Sequence, residues 1–302
     1  MMASSSIPVK DAEGEKPKVP NWLNLPRDIT ANILGRLSTI YLVTSVCLVC
    51  PLWWNICKDP HIWRTIQINY FETYYRRYIN YFDEILRYAV DRSCGHLEDI
   101  VIDTFCSDEL LEYIAENASN LRCLRLEECR RISEKGFIEA VRKLPLLEEV
   151  YINSISCLTK DSLEALGRSC PHLKSLEFVR EGIGHSIIVG FDDNDAVAIS
   201  ETMPRLRSLD INRNRITNIG LLAILDGCPL LEYLNLERSL YLDLSESLRK
   251  RCLEQIKDLR LLDNKDDLLM YYPSDHSQSD EYYPSDHSES GGLSDDENLR
   301  QW

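Results

Sequence analysis

Between Leu25 and Trp63 the apolar residues recur at helical spacing. Leu25, Ile29, Ile33 and Leu37 step by four, and Leu42, Val46, Val49 and Trp53 step by four, three and four. That spacing predicts two amphipathic helices. Pro26 suits the first turn of the first helix. Pro51 breaks the second and opens a third, Leu52 to Cys57, which Asp59-Pro60 ends. A compact three-helix module results over residues 21–68. A Tyr-rich helical stretch, Thr73 to Arg92, follows within 69–96 and is expected to cap the exposed end of what comes next.

From residue 97 the period changes. The pattern L-x-x-L-x-L, with aliphatics or Phe at the marked places, occurs at Leu97-Ile100-Ile102, Leu121-Leu124-Leu126, Leu147-Val150-Ile152, Leu173-Leu176-Phe178, Leu206-Leu209-Ile211 and Leu231-Leu234-Leu236. Successive starts lie 24, 26, 26, 33 and 25 residues apart, close to the leucine-rich-repeat period of about 20 to 29. The L-x-L part predicts a short strand with its aliphatics inward, and the chain returns through a helix. One unit cannot bury its own apolar face, so neighbours must stack. Cys129, Ile155, Asn214 and Ser239 hold the turn after the strand, and Ser133, Thr159 and Thr217 can cap the return helices. Helices are expected over Glu134 to Arg142, Lys160 to Ser169, Asp193 to Glu201 and Asn218 to Leu225. The 33-residue interval places an insertion within Arg180 to Asp192, and loops on such scaffolds often contribute to binding.

The strand period of two turns the residues between the buried aliphatics outward onto one face. These are Arg125, Glu127, Tyr151, Asn153, Glu177, Asp210, Asn212, Asn235 and Glu237, and as a set they form a candidate protein-binding face. The expected fold is therefore α+β and multidomain: the three-helix module, then a short α/β solenoid of about six repeats over 97–262, between disordered termini at 1–20 and 263–302. The C-terminal stretch repeats Tyr-Tyr-Pro-Ser-Asp-His-Ser at 271–277 and 282–288, a composition that cannot bury enough surface to fold. Ser277 and Ser294 have an acidic residue three places on and are candidate phosphorylation sites.

The formal net charge is −15, and the last forty residues, with eleven acidic and two basic side chains, carry −9 of it. No basic stripe is present to displace phosphate counterions, so nucleic acid and anionic membrane are excluded as expected partners. No apolar run approaches the roughly 18 residues of a membrane span. The polar stretch from Met1 to Pro20 has no signal-peptide core, so the expected location is cytoplasm or nucleus, where the eleven cysteines stay reduced. Cys47-x-x-Cys50 lacks a second half-site and reads as core rather than zinc. His185 with Asp192, Asp193 and Asp195 reads as a solvated loop, since no nucleophile accompanies it. No cofactor and no metal are expected.

Leu25-Pro26-x-x-Ile29, Ile33-Leu34-x-x-Leu37, Leu42, Val46, Val49-Cys50-x-x-Trp53 and Asp59-Pro60-x-x-Trp63 together resemble the F-box. With the repeats behind it, the chain is similar to F-box proteins with C-terminal leucine-rich repeats, especially the small plant group. It departs mildly: Ser38-Thr39 stands where a Pro is common, and Pro51-Leu52 replaces the usual polar pair before Trp53. The resemblance implies a non-catalytic, substrate-recruiting subunit of a Skp, cullin and F-box ubiquitin ligase. The F-box would bind a Skp-type adaptor, through it the cullin, and the repeats a protein substrate of unknown identity. By motif position the implied adaptor contacts are Leu25, Pro26, Ile29, Ile33, Leu34, Leu37, Leu42, Val46, Val49 and Trp53. The rival expectations are an interaction scaffold with no ligase role, and a hydrolase using His185, for which no constellation speaks.

Overall fold

The computed structural model describes residues 24–68, 81–179, 192–239 and 241–261. The expected lead-in, most of the insertion with His185, and the acidic tail lie outside these residues.

The module opens with α1 (Arg27–Leu34), entered directly after Pro26. The buried Thr30 hydroxyl donates to the Pro26 carbonyl at 3.1 Å, closing the first turn. α2 (Thr39–Thr44) starts at Ser38, whose hydroxyl accepts from the Tyr41 amide. The expected second helix, running from Leu42 up to the break at Pro51, is not continuous. α2 ends at Thr44, a short 3-10 turn covers Val46–Leu48, and α3 (Pro51–Cys57) begins after an extended Cys50 with φ −163°. Two causes act together. The run Thr39, Ile40, Val43, Thr44, Val46 is β-branched and weak in a helix, and the residue before Pro51 is driven out of helical geometry. A second 3-10 turn, Pro60–Trp63, is capped by Asp59, which accepts from the His61 amide at 3.1 Å.

Among the described residues, the rest is built on one parallel sheet of eight strands in sequence order. β1 (Thr65–Ile68), β2 (Asp99–Asp103), β3 (Cys123–Glu127), β4 (Glu149–Asn153), β5 (Ser175–Val179), β6 (Ser208–Asp210), β7 (Tyr233–Asn235) and β8 (Asp258–Arg260) are linked mostly by return helices. Six repeats were expected, and the stack has one more strand at each end. Both extra strands carry the pattern in altered dress: Trp63-x-x-Ile66-x-Ile68 and Ile256-x-x-Leu259-x-Leu261. Trp63 is 1% exposed and donates its indole N–H to the Cys57 carbonyl at 2.8 Å. It therefore closes the helical module and begins the first repeat at once. One continuous apolar core runs from Leu34 to Ile256, and the β1 edge is tied to the module where the Gln67 amide donates to the buried Thr39 hydroxyl at 3.0 Å.

α4 (Phe82–Ser93) buries Phe82, Leu86, Ala89 and Val90 against this core, so the described part of the expected cap is helical. Of the return helices, α6 (Glu134–Arg142) and α7 (Lys160–Ser169) have the expected limits, and α8 (Asn194–Thr202) and α9 (Asn218–Gly227) differ by one or two residues. α5 (Asp108–Asn117) and α10 (Glu246–Gln255) were not expected. Ser133, Thr159 and Thr217 accept from the Gly136, Asp161 and Ile219 amides, as the sequence predicted.

A further link, invisible in any single repeat, ties three of the caps to the preceding repeat. The Asp108 carboxylate accepts from the Ser133 amide (2.7 Å) and hydroxyl (2.5 Å). Glu134 does the same for Thr159, at 2.9 and 2.5 Å, and Asp193 for Thr217, at 2.7 and 2.6 Å. The acid needs room beside the next helix. A Cβ on Gly136 would lie 2.1 Å from Asp108 Oδ1, and one on Gly220 2.3 Å from Asp193 Oδ1. The residues just before the strands form a second inter-repeat row, in which Glu148 pairs with Arg122 and Lys174, and Glu232 with Arg207 and Lys257.

Candidate functional site

Two surfaces bear the residues singled out in the sequence. On the helical module, burial divides them. Leu34, Leu42 and Val46 are 1%, 2% and 7% exposed and hold the helices together, so they offer no surface. Trp53 is half-buried and packs against the same core. Pro26 is exposed and Leu25 half-buried, while Ile29, Ile33, Leu37 and Val49 stand 38 to 59% exposed. Ile29, Ile33 and Leu37 follow one another at four-residue steps on one side of α1 and just past its end. That side faces away from the core anchored by Thr30 and Leu34. Two residues that pattern reading missed are as open: Tyr41 on α2 at 57% and Leu48 in the 3-10 turn at 62%. Their signal was the broken second helix, which turns them outward. A folded module seldom leaves so many large apolar side chains in water without a use for them.

Cys47 and Cys50 do not form a pair. The buried Cys47 thiol is hydrogen-bonded to Cys57, and that bond together with burial pushes the Cys57 thiol well up. Among the described residues no group of three or more His, Cys, Asp and Glu side chains is placed to hold a metal.

The second surface is the outward face of the sheet. Strand register sets Arg125 beside Tyr151, Tyr151 beside Glu177, Glu177 beside Asp210 and Asp210 beside Asn235. The register also sets Glu127 beside Asn153. The Arg125 guanidinium lies over the Tyr151 ring at 4.6 Å, and 3.7 and 3.8 Å from Asp99 and Glu149. Tyr151 in turn donates its hydroxyl to Glu149 at 2.9 Å.

Toward β7 the face is knitted internally. Asp210 accepts from the Asn212 side chain at 2.8 Å and from the Asn235 side chain at 2.9 Å, and Asn235 accepts from the Glu237 amide at 3.0 Å. Asn235 is 6% exposed, so it braces its neighbours rather than meeting solvent. Burial, then Asp103 and Glu128, raise the Glu127 carboxyl. Burial, then Asp210 and Glu127, raise that of Glu177. A cleft of about 300 Å³ opens here, lined by Asn153, Glu177, Val179, Asn212, Arg213, Glu237 and Arg238. Arg213 and Arg238 were not singled out in the sequence. Both sit in left-handed turn positions just after β6 and β7, with φ 58° and 61°, and a period-of-two reading stops short of such turns.

The F-box-like family matches residues 22–69 of this chain. "Putative F-box/LRR-repeat protein 22" of Arabidopsis thaliana is 41% identical over 86% of this chain and 81% of its own length. "F-box protein SKIP19" from the same plant is 41% identical over 86% of this chain and 82% of its own. The chain belongs to the F-box/LRR-repeat family. A third relative, "Putative F-box/LRR-repeat protein 23", is 43% identical, and the chain spans 58% of its length. In these terms the helical module is the F-box and the sheet with its return helices is the repeat region. Two F-box positions that depart from the usual pattern have local work to do. Ser38 caps α2, and Thr39 holds the first repeat strand. No helix among the described residues is long and apolar enough to cross a membrane.

Proposed function

We propose that this F-box/LRR-repeat protein recruits a protein substrate to a Skp, cullin and F-box ubiquitin ligase. The observation that carries this reading is the apolar surface of Ile29, Ile33, Leu37, Tyr41, Leu48 and Val49 on a module whose core is already filled. Such a surface suits a groove on a Skp-type adaptor, and through the adaptor the chain would reach the cullin. The sheet face, polar and half-buried, suits a protein partner. The chain itself performs no chemistry in this scheme. It raises the local concentration of substrate lysines near ubiquitin carried by other subunits.

Co-purification with a Skp-type adaptor tests the reading, with wild type set beside an Ile29→Asp, Leu37→Asp double variant. Both positions are exposed, so folding is retained, and thermal melting checks that it is. Adaptor recovered with wild type and lost with the variant is the expected result. Equal recovery, or none from either, overturns it. Ubiquitination of a captured protein that depends on Ile29 and Leu37 then establishes the ligase step.

A further inference from the structure

Among the described residues no second layer lies over the sheet face. The return helices pack on the other side, and the outward strand positions from Arg125 to Glu237 are mostly half-buried, which leaves a continuous surface of strand side chains. Its charge is uneven. Glu127, Asp210 and Glu237 stand at or just beyond the ends of β3, β6 and β7, and Glu177 stands at the middle of β5. Of the strand-face cations near them, Arg125 is already shared between Asp99 and Glu149 and stacked on Tyr151, and Arg260, beside Asn235, lies over the Tyr233 ring and 3.7 Å from Asp258. At the far end, just past β6 and β7, the sign reverses with Arg213 and Arg238. The cleft between these regions is at the lower limit of small-molecule sites, which run from about 300 to 1,000 Å³ and are mainly apolar. A charged recess of this size suits one or two side chains of a polypeptide better than a metabolite.

We infer that the sheet face binds an extended protein segment that seats a lysine or arginine side chain against Glu177 and sets an acidic neighbour against Arg213. The inference deepens the reading of this face as the substrate site and rests on it. Burial, then Asp210 and Glu127, raise the Glu177 carboxyl against the weaker pull of Arg125, which leaves room for a further cation beside it. A bound basic side chain would supply one, and the partner's net sign would complement that of the face.

The test uses the full chain and short fluorescent peptides: one of Lys and Arg spaced by Ser and Gly, its Asp and Glu counterpart, and a block peptide with a basic half followed by an acidic half. Fluorescence anisotropy is expected to rank the block peptide first and the acidic peptide last, with affinities that fall as salt rises. Glu177→Gln is expected to weaken the basic peptide about tenfold, the scale of one charge-assisted hydrogen bond. Glu127→Gln, which removes a charge acting on Glu177 from outside the lining of the cleft, is expected to act in the same direction. Arg213→Gln should remove only the block peptide's advantage. Glu164→Gln, whose carboxylate pairs with Arg168 on α7, should change nothing. Equal binding of the acidic peptide, or basic-peptide binding indifferent to both glutamate variants, overturns the inference. None of these variants touches the F-box surface. Adaptor recovery therefore persists if this inference fails, and peptide selectivity persists if adaptor docking fails.

Discussion

The two faces of this protein are built on opposite principles. The F-box surface is helical and apolar, formed by side chains that the module has no room to bury. The repeat face is strand-built and polar, formed by residues that bond to one another before any partner arrives. An apolar surface on a rigid module suits an apolar groove. A polar face with its own hydrogen bonds accepts only partners that can replace or complement those bonds, and it gains specificity at a cost in raw affinity. On the proposed function, a general partner would meet the helices and a selective one the sheet.

Trp63 breaks the comparison most severely because it belongs to both regions. Trp63→Ala removes a fully buried ring that packs edge-on to Tyr88, with centroids 6.0 Å apart, and leaves the Cys57 carbonyl without its indole donor. The expected cost is about 3 to 5 kcal/mol. Denaturant unfolding should show the loss, and adaptor capture and peptide binding should fall together.

The cap-to-cap links come next and act on the repeat face alone. Glu134 accepts from the Thr159 amide and hydroxyl and from the Ser162 hydroxyl. Glu134→Ala is expected to cost about 1 to 2 kcal/mol in urea unfolding while adaptor capture stays intact. Burial works to raise this carboxyl, but the bonds from Thr159 and Ser162 outweigh it and hold the group below its ordinary 4.5. Its contribution is therefore complete above that value and is lost as pH falls through the lowered one. The variant should show a smaller loss of stability on acidification.

Gly136→Ala gives a test of sign. In an open helix the change would stabilise by up to about 1 kcal/mol. Here the new Cβ would meet the Asp108 carboxylate, which is held in place by Ser133. Destabilisation of about 1 kcal/mol is expected instead, read as a lower melting temperature. The smallest effect sharpens the contrast. Leu48→Lys on the F-box and Glu177→Gln on the sheet should each move stability by no more than about 0.5 kcal/mol. The first should abolish adaptor recovery, and the second should leave it untouched.

How far these regions were legible follows from where the periodicity was clean. Strand register could be read because Leu124, Val150, Leu176 and Leu209 fall at one place in successive units, and stacking demands it. β1 and β8 escaped because Trp63 and Ile256 stand where Leu leads the other repeats, and Trp63 already closed another motif. The contacts and core of the F-box could not be separated. Leu34 and Ile33 are adjacent and both apolar, and only the packed helices decide that one is buried and the other open. The cap-to-cap acids were illegible for a different reason. Asp108 and Ser133 lie 25 residues apart, and only the stacking of repeats brings them together.

Because Trp63 is at once the last side chain of one motif and the first of the next, the chain acts as a bracket rather than a tether. A flexible joint would let the sheet sample a sphere around the helical module, whereas a shared buried ring fixes a bearing as well as a distance. Which part of a partner is presented then depends on the pose it takes on the sheet. A repeat added to or lost from the far end would lengthen or shorten the arm without changing its aim.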